Sequence, residues 1–196
     1  LRLSGNAVRT ADVEVPRKKF AVVSLHRFEN IFSRRQLRTL VDMLCDISRR
    51  IELLFILHKP TEQKLQQYGL MTLLEKCPGI ELRPRYSYLQ FIKLIEGSSL
   101  VITDGGSNQE ECFYLGKPCI IMRKATERKE GLGENATLSH FNLDRINQII
   151  EELPDESTPS IDTSVSPSRI IVEALIAEDG LRPTVIDRDG RQDQGS

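Results

Sequence analysis

The stretch Leu100-Val101-Ile102-Thr103-Asp104-Gly105-Gly106-Ser107-Asn108-Gln109-Glu110-Glu111 decides how the chain reads. Its first four residues are apolar or β-branched and suit a buried strand. After Asp104 come two glycines, which let a backbone come close to a ligand. A helix then opens. Its first turn offers unpaired N–H groups and the positive end of the helix dipole, which suit a phosphate. A Gly-Gly turn is also an ordinary tight connection, so the turn alone settles no function. The residues after it add a second signal. A glutamate beside a phosphate repels it unless it is aimed elsewhere. A carboxylate that accepts from two vicinal ribose hydroxyls removes that conflict. Glu110 and Glu111 point about 100° apart on a helix, so only one faces such a pocket, and periodicity does not say which.

The same alternation of strand and helix runs outward in both directions. Phe20 to Leu25 is a short apolar run, hence a strand. Ser33 then caps a helix carrying Leu37, Leu40, Val41, Leu44 and Ile47 at helical spacing. Glu52 to Leu57 is the next strand, and Pro60-Thr61 opens another helix. Ile80 to Leu82 is a third strand, and Tyr88, Phe91, Ile92 and Ile95 mark a third helix. Beyond the central stretch, Gly116-Lys117-Pro118 leads into a strand at Cys119 to Met122. A charged loop covers residues 124–134, a short strand lies at 137–139, and a helix lies at 143–153. Near-continuous apolar strands alternating with helices imply βαβ units and a parallel sheet covered on both faces. The fold class is therefore α/β, a Rossmann-like doubly wound parallel sheet over residues 19–153. Residues 1–18 read as a leader or linker. Residues 154–180 read as a Pro/Ser/Thr-rich linker followed by a helix that Ser166-Pro167 opens, and 181–196 as a flexible tail.

Composition narrows the function. The 196 residues are 39% hydrophobic and 28% charged, with a net charge of -1. Such a chain has no global positive field to draw in a nucleic acid. No apolar run approaches the roughly 20 residues that a membrane span needs. The four cysteines, Cys45, Cys77, Cys112 and Cys119, form no C-x-x-C pair and have no histidine at metal-ligand spacing. They read as reduced, mostly buried thiols of a cytoplasmic protein, with neither metal nor cofactor.

Ligands of open parallel sheets bind beyond the carboxyl ends of the strands. Three segments bring chemistry there: His26-Arg27-Phe28-Glu29-Asn30, His58-Lys59-Pro60, and Asp104 to Ser107. His26 is the candidate for proton transfer near neutral pH. His58 is a weaker one, and His140 reads as a surface residue. Arg123, Lys124, Arg128 and Lys129 supply counter-charge for a diphosphate, although a loop of this composition is often merely solvated.

Four motifs in register carry a family resemblance. His26 to Asn30 resembles the H-R-x-E-N of UDP-N-acetylglucosamine 2-epimerases. Thr103 to Glu111 resembles their T-D-S-G-G-x-Q-E-E, and Leu115 to Pro118 their L-G-K-P. Met122-Arg123 with Thr126-Glu127-Arg128 resembles their M-R-x-x-T-E-R-P-E. The resemblance implies the C-terminal, UDP-binding half of a glycosyltransferase-B-like two-domain enzyme. That enzyme interconverts UDP-GlcNAc and UDP-ManNAc by eliminating UDP and adding it back after reprotonation at C2, in surface-polysaccharide or sialic-acid precursor supply. It implies a diphosphate cradle at Gly105, Gly106 and Ser107, ribose hydroxyls on Glu111, phosphate on Arg128, and uracil beside Phe91. His26 would act on the leaving group or the sugar. The family's proton-transfer carboxylates lie in an N-terminal domain with no counterpart here, so the chain alone is expected to be inactive. Its partners would be the UDP-sugar, that missing domain and, through an unmatched apolar face on the last helix, a second copy in a homodimer. The chain departs from the pattern where Asp104 runs straight into Gly105, with the hydroxyl reappearing at Ser107, and where Lys129 follows Arg128. Two other readings are a nucleotide-sugar glycosyltransferase domain and a non-catalytic UDP-sugar-sensing module.

Overall fold

The computed structural model describes residues 12–154. Six strands form one sheet: β1 (Phe20–Ser24), β2 (Glu52–Leu57), β3 (Ile80–Pro84), β4 (Leu100–Thr103), β5 (Cys119–Ile121) and β6 (Ala136–Leu138). They run in the order β3-β2-β1-β4-β5-β6, and every neighbouring pair is parallel. Among the described residues seven helices accompany them: α1 (Phe28–Ile31), α2 (Arg34–Ile47), α3 (Lys59–Gln67), α4 (Met71–Glu75), α5 (Tyr88–Gly97), α6 (Gly106–Tyr114) and α7 (Leu143–Glu151). The doubly wound Rossmann-like class expected from the sequence is the one observed.

The strands divide their side chains between two cores, as a period of two requires. Ala21, Val23, Leu53, Phe55, Leu100 and Ile102 face one side, where Leu40 and Leu44 of α2, Leu65 of α3 and Ile146 of α7 meet them. Phe20, Val22, Leu54, Ile56 and Val101 face the other, against Ile92, Leu94 and Ile95 of α5 and Cys112 of α6. Burying either layer gains about 25 cal/mol per Å² of apolar surface. Local signals start the helices. Ser33 accepts the Gln36 amide at 3.3 Å to cap α2, and Ser87 with Gln90 forms a capping box on α5.

Two short helices, α1 and α4, escape the sequence reading because one turn carries no period. α4 is cut off from α3 by Gly69, whose φ of 68° only glycine adopts easily. Residues 12–16, read as leader, lie on the domain. Arg83 donates to the Glu14 carbonyl at 2.7 Å and Gln90 to that of Asp12 at 2.8 Å, while Val13 and Val15 pack on the second core.

The cysteine reading needs correction. Cys45 and Cys77 form a disulfide, with Cα atoms 5.6 Å apart across a separation of 32 residues, so only Cys112 and Cys119 are buried thiols. No spacing rule predicted this pair. The sheet brings the end of α2 beside the turn before β3. A disulfide persists in oxidising surroundings, so these two residues no longer argue for a reducing compartment. Among the described residues no helix is long and apolar enough to cross a membrane. The expected helix after Ser166-Pro167 and the tail lie outside the described residues.

Candidate functional site

The strand order turns at the β1/β4 pair, where β2 and β3 lie to one side and β5 and β6 to the other. Ser24 is in register with Thr103. The two motif loops that follow them therefore leave the sheet side by side, at the switch point where such folds bind ligands.

Asp104 joins these loops. Its carboxylate is fully buried. It accepts from the His26 amide at 2.9 Å, the Arg27 amide at 3.0 Å and Asn30 Nδ2 at 2.9 Å. Thr103 Oγ1 donates to the Ser24 carbonyl and accepts the Gly105 amide, both at 3.0 Å. Gly105 thus contributes room rather than a donor: a Cβ there would lie 2.8 Å from His26 Cε1. A Cβ on Gly106 would lie 3.3 Å from Arg128 Nε and 3.5 Å from Arg27 Nη2. Both glycines have ordinary negative φ, so close approach, not backbone freedom, is what they supply.

Gly105 is the N-cap of α6, and no side chain caps the helix. The amides of Gly106, Ser107 and Asn108 are therefore the ones without an intrahelical acceptor. Ser107 is exposed. Asn108 is buried, and its Nδ2 has no partner.

The β5–β6 loop closes the site from the far side, and Gln109 sets its position. Gln109 is fully buried. It donates to the carbonyls of Glu130 at 2.8 Å and Arg128 at 3.3 Å, and it accepts from Thr126 Oγ1 at 3.1 Å. The loop's charges pair with the first motif. Glu127 accepts from Arg27 at 2.8 Å and Arg123 at 2.9 Å, and Arg123 also meets Glu29 at 3.3 Å. Glu127 is held down to about 2, by its own backbone amide first and then by Arg27 and Arg123.

The two glutamates of α6 have different surroundings. Glu110 takes Arg128 Nη1 at 3.1 Å. Glu111 has a buried Oε2 with no hydrogen-bond partner. Burial, then the charge of Glu110, pushes its carboxyl up to about 7. An uncompensated buried carboxylate is costly, and two neighbouring hydroxyls would relieve it. The hydroxyl of the exposed Tyr88 is pushed up by burial first, and then by the charges of Glu111 and Glu110. Phe91, one turn later on α5, is half-buried against the second core.

The structure therefore brings together His26, Gly105, Gly106 and Arg128, with Ser107 and Glu111 on the helix they surround. Sequence reasoning assigned no role to Asp104, Gln109 or Arg27. Two of these are buried polar residues inside motifs, and a buried polar residue reveals its partners only in three dimensions.

A family model described as UDP-N-acetylglucosamine 2-epimerase matches residues 2–167. The chain is 36% identical over 123 residues to a UDP-N-acetylglucosamine 2-epimerase of Methanococcus maripaludis, covering 62% of this chain and 34% of that protein. It is 35% identical over 109 residues to a UDP-2,3-diacetamido-2,3-dideoxy-D-glucuronate 2-epimerase of Pseudomonas aeruginosa, covering 55% and 29%. Among solved structures it resembles the Methanocaldococcus jannaschii UDP-GlcNAc 2-epimerase in complex with UDP-GlcNAc and UDP. There the TM-score is 0.69 and the identity 25%, over 82% of this chain and 46% of that one. The chain spans about a third of the length of these curated relatives and about half of the solved structure.

Proposed function

The chain belongs to the UDP-N-acetylglucosamine 2-epimerase family, and on that premise we propose that its rim holds the UDP portion of a UDP-sugar. One observation carries the reading. A helix N-terminus with open amides and two flanking arginines starts the same helix that carries Glu111, whose buried Oε2 has no hydrogen-bond partner. Such a neighbourhood suits a molecule that is anionic at one end and a vicinal diol next to it.

In this reading the Gly106 and Ser107 amides receive the diphosphate, and Gly105 keeps the approach open. Arg128 leaves Glu110 for the phosphate, and Glu111 ionises to accept both ribose hydroxyls. Phe91, with Tyr88 nearby, borders the base. His26 stands where it can stabilise or protonate the departing diphosphate oxygen when the C1–O bond breaks. The complete reaction would interconvert UDP-GlcNAc and UDP-ManNAc, with the groups that move the C2 proton supplied by a further domain. This chain alone would bind UDP and not turn over. A cytoplasmic location belongs to the same proposal, and the Cys45–Cys77 bond is the observation that weighs against it.

Calorimetry on the 196-residue chain tests the assignment. UDP should bind measurably and uridine more weakly. Arg128→Ala should weaken UDP about tenfold or more, the scale of one charge-assisted bond, and leave uridine unchanged. Equal losses for both ligands would move Arg128 out of the site. Epimerase turnover by the chain alone would refute the need for another domain.

A further inference from the structure

His58 has so far no part in the site, yet its ring lies face to face with that of His26. The centroids are 4.6 Å apart and the planes 28° from parallel, within the range of stacked aromatic pairs. We infer that His58 is a positioning residue: its ring is the fixed wall that holds the His26 imidazole edge against Gly105 at the α6 N-terminus. The inference rests on the proposed role of His26 toward a diphosphate.

His26 is confined on three sides. Its amide is tied to Asp104. Its Cε1 edge meets Gly105, where a Cβ would come within 2.8 Å. Its Nδ1 lies 3.6 Å from Asp104 Oδ1, too far for a hydrogen bond, and has no hydrogen-bond partner among the described residues. The stacked face restrains it further, and that face is itself anchored twice. His58 Nε2 lies 3.2 Å from Ser24 Oγ. Three residues on, Thr61 Oγ1 donates to the Leu25 carbonyl at 2.6 Å, pinning the start of α3 to the residue before His26. A flat ring is needed for the stack and a ring nitrogen for Ser24, and histidine supplies both. Burial, then the charges of His26 and Arg85, pulls His58 down to about 4. At neutral pH the wall is therefore uncharged.

Two substitutions separate the wall from a residue that merely satisfies Ser24. His58→Phe keeps the ring and loses the Ser24 bond. His58→Asn keeps a polar group and loses the ring. With folding checked by melting, His58→Asn should lower the preference for UDP over uridine about tenfold, the scale of one misaligned charge-assisted bond. His58→Phe should keep that preference within about threefold of the wild type. An unchanged preference in His58→Asn, or an equal loss in both variants, overturns the inference. His26→Ala is the control. If it leaves the UDP preference intact, the diphosphate role of His26 falls and takes the inference with it. If it abolishes the preference while His58→Asn does not, only the inference falls. A measurement without substitution backs these. The ring protons of His26 and His58 should show a mutual nuclear Overhauser effect both without and with UDP, and its disappearance on adding UDP overturns the wall.

Discussion

At the scale of single residues, the contrast between Glu110 and Glu111 has the sharpest chemical consequence. Adjacent in sequence, they have opposite partners. Glu110 neutralises Arg128, and Glu111 has a buried oxygen with none. Because the folded state raises Glu111 from 4.5 to about 7, the folded protein holds its proton more tightly than the unfolded chain does. That stabilisation is complete below pH 4.5 and is lost as the pH rises through 7. Glu111→Gln should therefore melt higher than wild type at pH 8, by at most about 3 kcal/mol, and no higher at pH 4. The same substitution should weaken uridine binding at pH 8. Wild-type affinity for uridine, which has no group titrating in this range, should rise as the pH passes 7. A pH-independent affinity would remove Glu111 from the ribose.

At the scale of elements, α6 organises the site in both directions. From its first turns, Gln109 reaches the β5–β6 loop, and just before its cap Asp104 reaches the β1–α1 loop. Gln109→Leu preserves volume but leaves two loop carbonyls and Thr126 without their partner. Losing buried partners of this kind costs about 1–3 kcal/mol, which a urea titration can read. The loop carrying Arg128 should then loosen, so UDP should weaken more than uridine. If stability drops and the ratio of the two affinities does not move, the loop position does not matter for phosphate.

At the scale of the whole molecule, the two ends of the sheet have separate duties. The motif loops gather at the carboxyl ends of the strands. The Cys45–Cys77 bond lies at the opposite end, joining the last turns of α2 to the turn before β3. A link closing a loop of this length contributes ~3–4 kcal/mol in the chain-entropy description. Reduction by dithiothreitol should lower the unfolding midpoint in denaturant and leave UDP affinity within about twofold, since the rim is untouched. A parallel loss of binding would couple the two ends.

By itself the sequence determined whatever depends on neighbours a few residues away. The strands, the Ser33 cap, the Pro60 helix start and the glycines that open α6 all follow from local periodicity and local sterics. The motif resemblance named Glu111, which the helical period had left tied with Glu110. Tertiary structure alone decided what depends on pairing across the sheet. The register of Ser24 with Thr103 places His26 on Gly105, and the β1–β2 pairing sets His58 against His26. It also shows Asp104 and Gln109 as clamps, and joins Cys45 to Cys77. These partners are 17 to 79 residues apart in sequence, too far for any short period to connect them. A parallel sheet brings the rim partners together because its long crossovers return each strand's carboxyl end to one edge, and it brings Cys45 to Cys77 at the other edge.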